Sequence, residues 1–333
     1  MKTKRARSFW LIASLTAALA VAALALGRYP VPLIDVFRSL LGLDGAAEVT
    51  RALVLQVRLP RVVAALCVGA NLSAVGAVFQ GMFRNPLVDS GILGISSGAA
   101  FGAAVSLLVV PSAAAVQGGA FAFAAVAVAL VGLIGWRFGS SPLVLIIGGV
   151  LVSALFNSLL GLVKYVADPL STLPAITYWL LGSLSGTNWS SLWPLLAVTL
   201  PGLLFLLIVR WRLNLLTLSE TEAMSLGVSV RTFRWVVLLV GTVLVAVSVA
   251  LSGMIGWIGL VVPHLSRAWG GPDHTRMIPS SIVLGAASLL VLDTVSRTAM
   301  TSEIPLGILT GLIGVPAFLV FFWRFLRARE EVR

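Results

Sequence analysis

Two histidines, one cysteine and twelve acidic residues are the side chains of this sequence best suited to catalysis or metal binding. His264 follows Pro263 and His274 follows Asp273, so the two histidines do not form the His-Glu-x-x-His pair of a metalloprotease. The G-x-x-x-x-G-K-[ST] loop that binds ATP phosphates does not occur. Cys67 cannot form an internal disulfide by itself. We therefore predict no catalytic residue and no metal site, and we interpret both histidines as structural.

The acidic residues lie between the apolar segments or close to their ends. Secondary transporters and channels usually carry ionisable groups near the middle of the membrane, because a transported ion or proton must be bound there. The sequence predicts no such proton relay, so the energy for pumping would have to come from a separate subunit. An ion-coupled secondary transporter and an intramembrane enzyme are the alternatives. The first predicts uptake driven by an ion gradient with this chain alone.

The composition is that of a membrane protein: of 333 residues, 59% are hydrophobic and only 11% are charged, whereas a soluble domain is about 25% charged. Since a span needs about 20 apolar residues, we predict an all-α membrane protein with about ten transmembrane helices in one domain, residues 1–333. Residues 174–186 are expected to form a short helix at the outer surface. The predicted spans are 9–27, 62–83, 93–110, 119–136, 143–163, 192–209, 235–252, 255–268, 279–294 and 306–325.

The formal net charge of +11 reflects where the basic residues lie. With ten crossings and the N-terminus inside, 16 of the 23 Lys and Arg residues fall on the inner side. Because positive charge is retained in the cytoplasm, both termini are predicted to be cytoplasmic. The same placement, at the ends of spans, favours a membrane surface and argues against a nucleic-acid partner.

Arginines mark the outer ends of two predicted spans. Arg58 and Arg61, in the sequence RLPR, are placed in a loop before the second span, and Arg297 follows the ninth. These cations could pair with carboxylates of a docking protein. The alternative is snorkelling to the membrane interface. Asp293, one helical turn before Arg297, could neutralise it.

Three inner segments could contact other proteins or close a pore. Residues 84–89 contain Pro86, which ends a helix, and residues 139–142 form a tight turn. Either is explained by turn chemistry, yet both lie at the same depth and could close a pore from the inside. The long inner loop, 210–233, is rich in leucine and carries few charges. We expect it to expose an apolar surface that binds another protein.

Glycines recur within the spans. Gly69, Gly76 and Gly81 lie in the second predicted span, and Gly94, Gly98 and Gly102 are spaced by four in the third. Small residues at such intervals let helix backbones approach closely in lipid. Packing is the simpler interpretation, and the alternative is that some of these glycines line a pathway.

On several separate stretches the sequence resembles the FecCD family, the membrane subunits of type II ABC importers for iron chelates, haem and vitamin B12. The resemblance extends over about residues 50 to 325. The stretches are 58–61 (RLPR), 69–76 (GANLSAVG), 84–87 (RNPL), 91–98 (GILGISSG), 213–216 (LNLL), 258–264 (IGLVVPH) and 303–307 (EIPLG).

The resemblance implies the type II ABC importer permease fold, with ten helices in two inversely related halves. It also implies a homodimer with the pathway between subunits, two cytoplasmic ATPases that bind ATP and Mg, a periplasmic substrate-binding protein, and a location in the bacterial inner membrane. No cofactor is implied in this chain, which would not itself be an enzyme. The stretch 179–186 favours haem over a ferric siderophore as cargo, and vitamin B12 is the alternative.

The resemblance also assigns roles to individual residues. Ser219 and Pro142 depart from the family pattern, in the coupling loop and in the gate turn. By motif, the docking residues for the binding protein are Arg58, Arg61 and Arg297; the cytoplasmic gate residues are Asn85, Pro86, Leu87, Ser140 and Ser141; the ATPase-coupling residues are Leu213, Asn214, Leu215, Leu216, Glu220, Ala223, Leu226 and Gly227.

Overall fold

Helices account for almost all of the regular structure in the computed structural model, which describes residues 2–139, 141–217 and 230–330. Each of the ten predicted spans coincides with a helix, which confirms the all-α fold class. The helices are α1 (Lys2–Ala25), α2 (Leu33–Leu41), α3 (Glu48–Ala52), α4 (Leu59–Met82), α5 (Ile95–Val109), α6 (Ala113–Phe138), α7 (Pro142–Val166), α8 (Thr172–Leu180), α9 (Trp189–Leu213), α10 (Val230–Ser252), α11 (Ile258–Gly270), α12 (His274–Thr298) and α13 (Leu306–Glu330).

The helices differ in how well their lengths match a bilayer. Among the described residues, six helical runs are long and apolar enough to cross it: Glu48–Met82, Ala113–Phe138, Pro142–Val166, Trp189–Thr217, Thr232–Ser252 and His274–Thr298. Three further apolar helices are shorter: Phe9–Ala25, Ile95–Val109 and Leu306–Phe321. Helix α11 has 13 residues and so extends about 20 Å, less than the roughly 30 Å of a hydrocarbon core.

The region before the second predicted span is helical rather than a loop. After α3, one π-helical turn covers Leu53–Arg58, and α4 begins directly at Leu59. The prediction that Arg58 and Arg61 lie in a loop was therefore wrong. Pro60 is compatible with the helix, because it occupies the first turn of α4, where the missing N–H would have no partner within the helix.

Helix α4 is the central helix, and most of its residues are buried. It runs antiparallel to α12: Gly69 faces Gly285 near the middle, and Gly81 faces His274 at the start of α12. A Cβ atom on Gly69 would lie 2.2 Å from the Gly285 carbonyl oxygen. Because such a distance excludes any side chain, this glycine is needed for backbone contact.

Other glycine contacts follow the same pattern. A Cβ on Gly76 would lie 1.8 Å from the Gly259 oxygen of α11, and one on Gly102 would lie 2.1 Å from the Gly119 oxygen of α6. These positions confirm the packing interpretation of the glycine spacing.

One buried amide links three helices halfway along α4. The Asn71 Nδ2 atom donates to Thr199 Oγ1 of α9 at 2.7 Å and to Ser248 Oγ of α10 at 3.0 Å. All three residues are buried. Interhelical hydrogen bonds of this kind stabilise helix association in lipid.

The contact between α4 and α11 gives a testable prediction. Gly76→Ala should lower the melting temperature of the detergent-purified protein, because overpacking a tight contact typically costs about 1–3 kcal/mol. Gly161→Ala is the control, since a Cβ there meets nothing within 4 Å. Thermal unfolding followed by size-exclusion chromatography measures both variants. Equal melting temperatures would contradict the close-contact interpretation.

Candidate functional site

Two polar clusters lie at opposite ends of α4. The helix has 24 residues, which separates the clusters by about 36 Å. We name them after the predicted orientation of the chain. The outer cluster consists of Arg58, Arg61, Asp293, Arg297 and Glu303, and the inner cluster consists of Gln80, Pro86, Asn214, His264, Arg267, Asp273 and His274.

Arg61 is the centre of the outer cluster. Its Nε atom donates to Asp293 Oδ1 at 2.9 Å, and its Nη1 and Nη2 atoms donate to the two carboxylate oxygens of Glu303, each at 2.9 Å. The Asp293 side chain is completely buried, whereas that of Glu303 is 22% exposed. Arg297 Nε lies 3.5 Å from Asp293 Oδ2. The buried carboxylate therefore lies between two guanidinium groups, which offset the cost of its desolvation.

The other two arginines hold the end of α1. Arg58 Nη1 donates to the carbonyl oxygens of Leu24 and Ala25 at 2.7 and 2.9 Å, and Nη2 donates to that of Tyr29. Arg297 donates to the carbonyl oxygens of Ala23 and Leu26. The last carbonyls of a helix lack partners within it and carry partial negative charge. Arg58 and Arg297 therefore cap α1.

The structure thus brings the three predicted docking arginines together but gives all of them internal partners. Arg58 is 5% exposed, Arg61 is 8% exposed and Arg297 is 6% exposed. Their side chains neither extend to the membrane interface nor form a free surface for another protein. Their docking role stays a prediction. Sequence reasoning missed Glu303 as a partner of Arg61, because the two residues are 242 positions apart.

Glu303 lies in the connection between α12 and α13. Partial burial by itself raises the pKa of its carboxyl group, but the hydrogen bond from Arg61 and the positive charge of that residue outweigh this effect and lower the pKa overall. Glu303 is therefore ionised at neutral pH and forms a charge-assisted bidentate pair with Arg61.

Asn214 is the centre of the inner cluster. Its Nδ2 atom donates to Asp273 Oδ1 at 2.8 Å, and its Oδ1 atom accepts from the backbone N–H and the Nδ1 atom of His274, each at 2.9 Å. Asp273 also caps α12 by accepting from the Thr275 backbone N–H at 2.9 Å. The hydrogen bond from Asn214 is the main reason that the pKa of Asp273 is lowered. The start of the long inner loop is thus bound to the first turn of α12.

His264 binds the turn that follows α4. Its Nε2 atom lies 2.8 Å from the Pro86 carbonyl oxygen, which can only accept, so Nε2 carries the proton. Its Nδ1 atom then accepts from Arg267 Nη1 at 3.4 Å. Arg267 Nη2 donates to Gln80 Oε1 at 3.2 Å. The predicted structural role of His264 is confirmed.

The predicted gate residues lie in two turns. Asn85 Oδ1 accepts from the Leu87 backbone N–H at 2.9 Å, and Leu87 is 56% exposed. Ser141 caps α7 by accepting from the Val144 backbone N–H at 3.4 Å. Ser140 lies outside the described residues. These contacts explain the turns locally, and gating stays a prediction.

The predicted coupling surface requires a correction. Leu213, Leu215 and Leu216 are buried, at 2%, 8% and 2% exposure, so the expectation that they form an exposed apolar surface was wrong. Asn214 directs them inward, because its bonds to α12 hold the 3₁₀ turn Asn214–Thr217 against the core. The other predicted coupling residues lie outside the described part of the chain: Glu220, Ala223, Leu226 and Gly227.

Comparison with known proteins places this arrangement in a family. The model of the FecCD transport family matches residues 15–324. The chain belongs to this family. As a FecCD permease it resembles the molybdate import permease MolB of Haemophilus influenzae, with 41% identity over 92% of this chain and 93% of MolB. It also resembles the hemin transport permease HmuU of Yersinia pestis, with 40% identity over 83% of this chain and 84% of HmuU.

A solved structure supports the same assignment. The FecCD permease matches an inward-facing conformation of an ABC transporter of the metal-chelate type, with a TM-score of 0.88 and 39% identity over 96% of this chain and 99% of that one. The chain is therefore a multi-pass ABC importer permease, and its fold is that of this transporter class. Its relatives carry chemically different cargoes, so family membership does not select the substrate.

The outer cluster gives the second prediction. Asp293→Asn should destabilise the FecCD permease by about 3–5 kcal/mol, because it leaves two buried guanidinium groups without their shared counter-charge. Asp44→Asn, at an exposed carboxylate, is the matched control. Chemical or thermal unfolding in detergent compares the two with the unaltered protein. A stability of Asp293→Asn equal to that of the control would refute a structural role for the cluster.

Proposed function

We propose that this chain is the membrane subunit of an ATP-driven importer that carries an iron chelate, either haem or a ferric siderophore, across the bacterial inner membrane. In this proposal it forms a homodimer with both termini in the cytoplasm. Two cytoplasmic ATPases bind ATP and Mg and drive transport, and a periplasmic binding protein delivers the cargo. Family membership supports this proposal over an ion-coupled transporter.

The observation that carries the proposal is the bond between the inner loop and α12. Asn214 connects the start of the loop to Asp273 and His274. From there α12 rises about 30 Å to Asp293 and about 35 Å to Arg297 in the outer cluster. A rigid helix fixed at both ends can transmit a displacement of the loop to the opposite side of the membrane.

Residues 179–186, the stretch on which the preference for haem rested, form backbone hydrogen bonds to other helices. The stretch 179–186, which favoured haem, has a packing explanation: the N–H groups of Leu306 and Gly307 donate to the carbonyls of Gly182 and Leu181 at 2.9 Å, and Ser183 N–H donates to Ser252 O at 2.8 Å. The stretch joins α8 to α10 and α13. These contacts do not test the cargo, so the preference for haem over a ferric siderophore stays a prediction.

The cargo is tested with the complex of the permease, its ATPases and its binding protein. Haem or another iron chelate should copurify with the binding protein. Visible absorption detects haem, and elemental analysis detects iron. ATP-dependent accumulation of the same cargo is then expected in vesicles. Molybdenum or a corrinoid in its place would reject the iron-chelate assignment while leaving the importer intact. Uptake by the chain alone, driven by an ion gradient without nucleotide, would reject the ATP-driven importer.

Coupling is tested at Asn214. Asn214→Ala should lower the amount of cargo transported per ATP hydrolysed by about tenfold, since losing a bridge of about 1.4 kcal/mol has that effect, while ATP hydrolysis itself continues. Thr275→Ala is the matched control, because it removes the hydrogen bond from the Thr275 hydroxyl to Asp273 within one helix end and leaves the bridge to the loop. Equal ratios in the two variants would contradict coupling through Asn214.

Arg61 binds two carboxylates, and that of Glu303 is the more exposed. A binding protein that docks through Arg61 must therefore displace Glu303 from its guanidinium group. Glu303→Gln should therefore strengthen binding of the binding protein, because the neutral amide competes less well for the guanidinium group. Glu48→Gln, at an exposed acid, is the control, and surface plasmon resonance measures both. Replacing Arg58 and Arg61 by Glu does not test docking, because it also removes the cap of α1 and the partner of Asp293. An affinity unchanged by Glu303→Gln would argue against docking at Arg61.

A further inference from the structure

A cavity of about 290 Å³ lies between α6 and α10, outside both polar clusters. One wall is formed by Ala125, Ala129 and Gly132 of α6, and the other by Trp235, Leu239 and Thr242 of α10. On each helix these residues are four and then three positions apart, so each set lies on one helical face. We name this space the α6–α10 crevice.

The crevice exists because Trp235 separates two faces that could otherwise approach. A Cβ on Gly135 would lie 3.2 Å from the Trp235 ring, so the ring is already in close contact with α6 there. One turn away, a Cβ on Gly132 would meet only the edge of the same ring, at 3.9 Å. Space therefore remains beside Gly132. The buried side chains of Leu93 and Leu145 form the floor.

The crevice opens onto an apolar surface. Leu239 of α10 is 62% exposed, and Val126 and Leu133 on α6 are 44% and 58% exposed. Both helices belong to the runs that are long and apolar enough to span a bilayer. At this depth the surrounding solvent is lipid, so the molecule available to fill the crevice is a lipid tail.

The end of α6 supplies the complementary charge. Trp136 is 73% exposed and Arg137 is exposed beside it. Exposed tryptophan and arginine at a helix end are typical of the membrane interface, where arginine attracts anionic headgroups. From Arg137 to Ala125 the helix rises about 18 Å, close to the depth of one leaflet, about half of 30 Å.

We propose that the α6–α10 crevice binds one acyl chain of an anionic phospholipid, whose headgroup lies at Arg137. The chain passes Gly132 and Ala129 and ends near Thr242. Such a lipid fills the space that the side chains leave open. Its methylene groups make the van der Waals contacts that the lining of an empty crevice would lack. This site is independent of the cargo and of the proposed partners.

The Thr242 hydroxyl provides a test of the kind of ligand. Thr242 is 3% exposed, and its Oγ1 atom has no hydrogen-bond partner among the described residues. An acyl chain makes no use of that hydroxyl, whereas a polar ligand would bind to it. Thr242→Val keeps the size of the side chain and removes the hydroxyl, so it distinguishes the two.

The test is native mass spectrometry of the purified full-length protein, titrated with phosphatidylglycerol. The unaltered protein should retain one lipid per chain. Gly132→Leu should weaken retention at least about tenfold, because the leucine displaces several methylene groups from the crevice. Gly118→Leu is the matched control on the same helix, since a Cβ at Gly118 meets nothing within 4 Å. Equal retention by the two variants would overturn the proposal.

Two further variants complete the test. Arg137→Gln should reduce the preference for phosphatidylglycerol over phosphatidylcholine, and an unchanged preference would reject the headgroup position. Thr242→Val should retain phosphatidylglycerol like the unaltered protein, and loss of the lipid would reject an acyl chain as the ligand. If Gly132→Leu folds poorly, quenching by phosphatidylglycerol with brominated acyl chains replaces it. Quenching should then fall in Trp235→Phe, and unchanged quenching would overturn the proposal.

Discussion

Close backbone contact between α4 and α12 is the constraint on which the other helices depend. In a bilayer the lipid tails are as apolar as leucine, so helices associate through tight packing and through satisfied polar groups. The α4–α12 pair has both: Gly69 and Gly285 allow backbone contact at the centre, and a polar cluster closes each end. Helices α1, α9, α10 and α11 are then positioned by hydrogen bonds or glycine contacts to this pair.

The outer cluster shows why buried charge is tolerated here. Desolvating three guanidinium groups and a carboxylate is costly unless each finds a partner. Asp293 and Glu303 neutralise Arg61, and the carbonyls at the end of α1 accept from Arg58 and Arg297. The planar guanidinium group suits this geometry, because its five N–H donors form a rigid fork that can bind one carboxylate in bidentate fashion and another through Nε, whereas the three donors of lysine share one nitrogen. The cluster therefore joins α1, α4 and α12 as well as satisfying its own charges.

Local patterns predicted the helices but not their long-range partners. A run of apolar residues indicates a helix by itself, so each of the ten predicted spans coincides with a helix, and six helical runs among the described residues are long enough to cross a bilayer. The Arg61–Asp293 and Asn214–His274 contacts join residues 232 and 60 positions apart, which no local pattern specifies. For the same reason Leu213, Leu215 and Leu216 were expected at the surface: an apolar stretch after basic residues resembles a contact loop until its anchor is known. The π turn and the start of α4 at Leu59 were missed because the predicted span begins only at residue 62.

The two clusters differ in strength, and this difference suggests where a transport cycle can rearrange the chain. The outer cluster is held by charge-assisted bonds in a buried setting, which are about twice as strong as neutral ones. The inner cluster joins the loop to α12 through one amide, and Asp273 at its edge is exposed. The loop is therefore the part of the chain that a transport cycle can displace, and the Asn214 bridge makes α12 follow it. The outer cluster then moves α1 and α4 together with the outer end of α12 as one body.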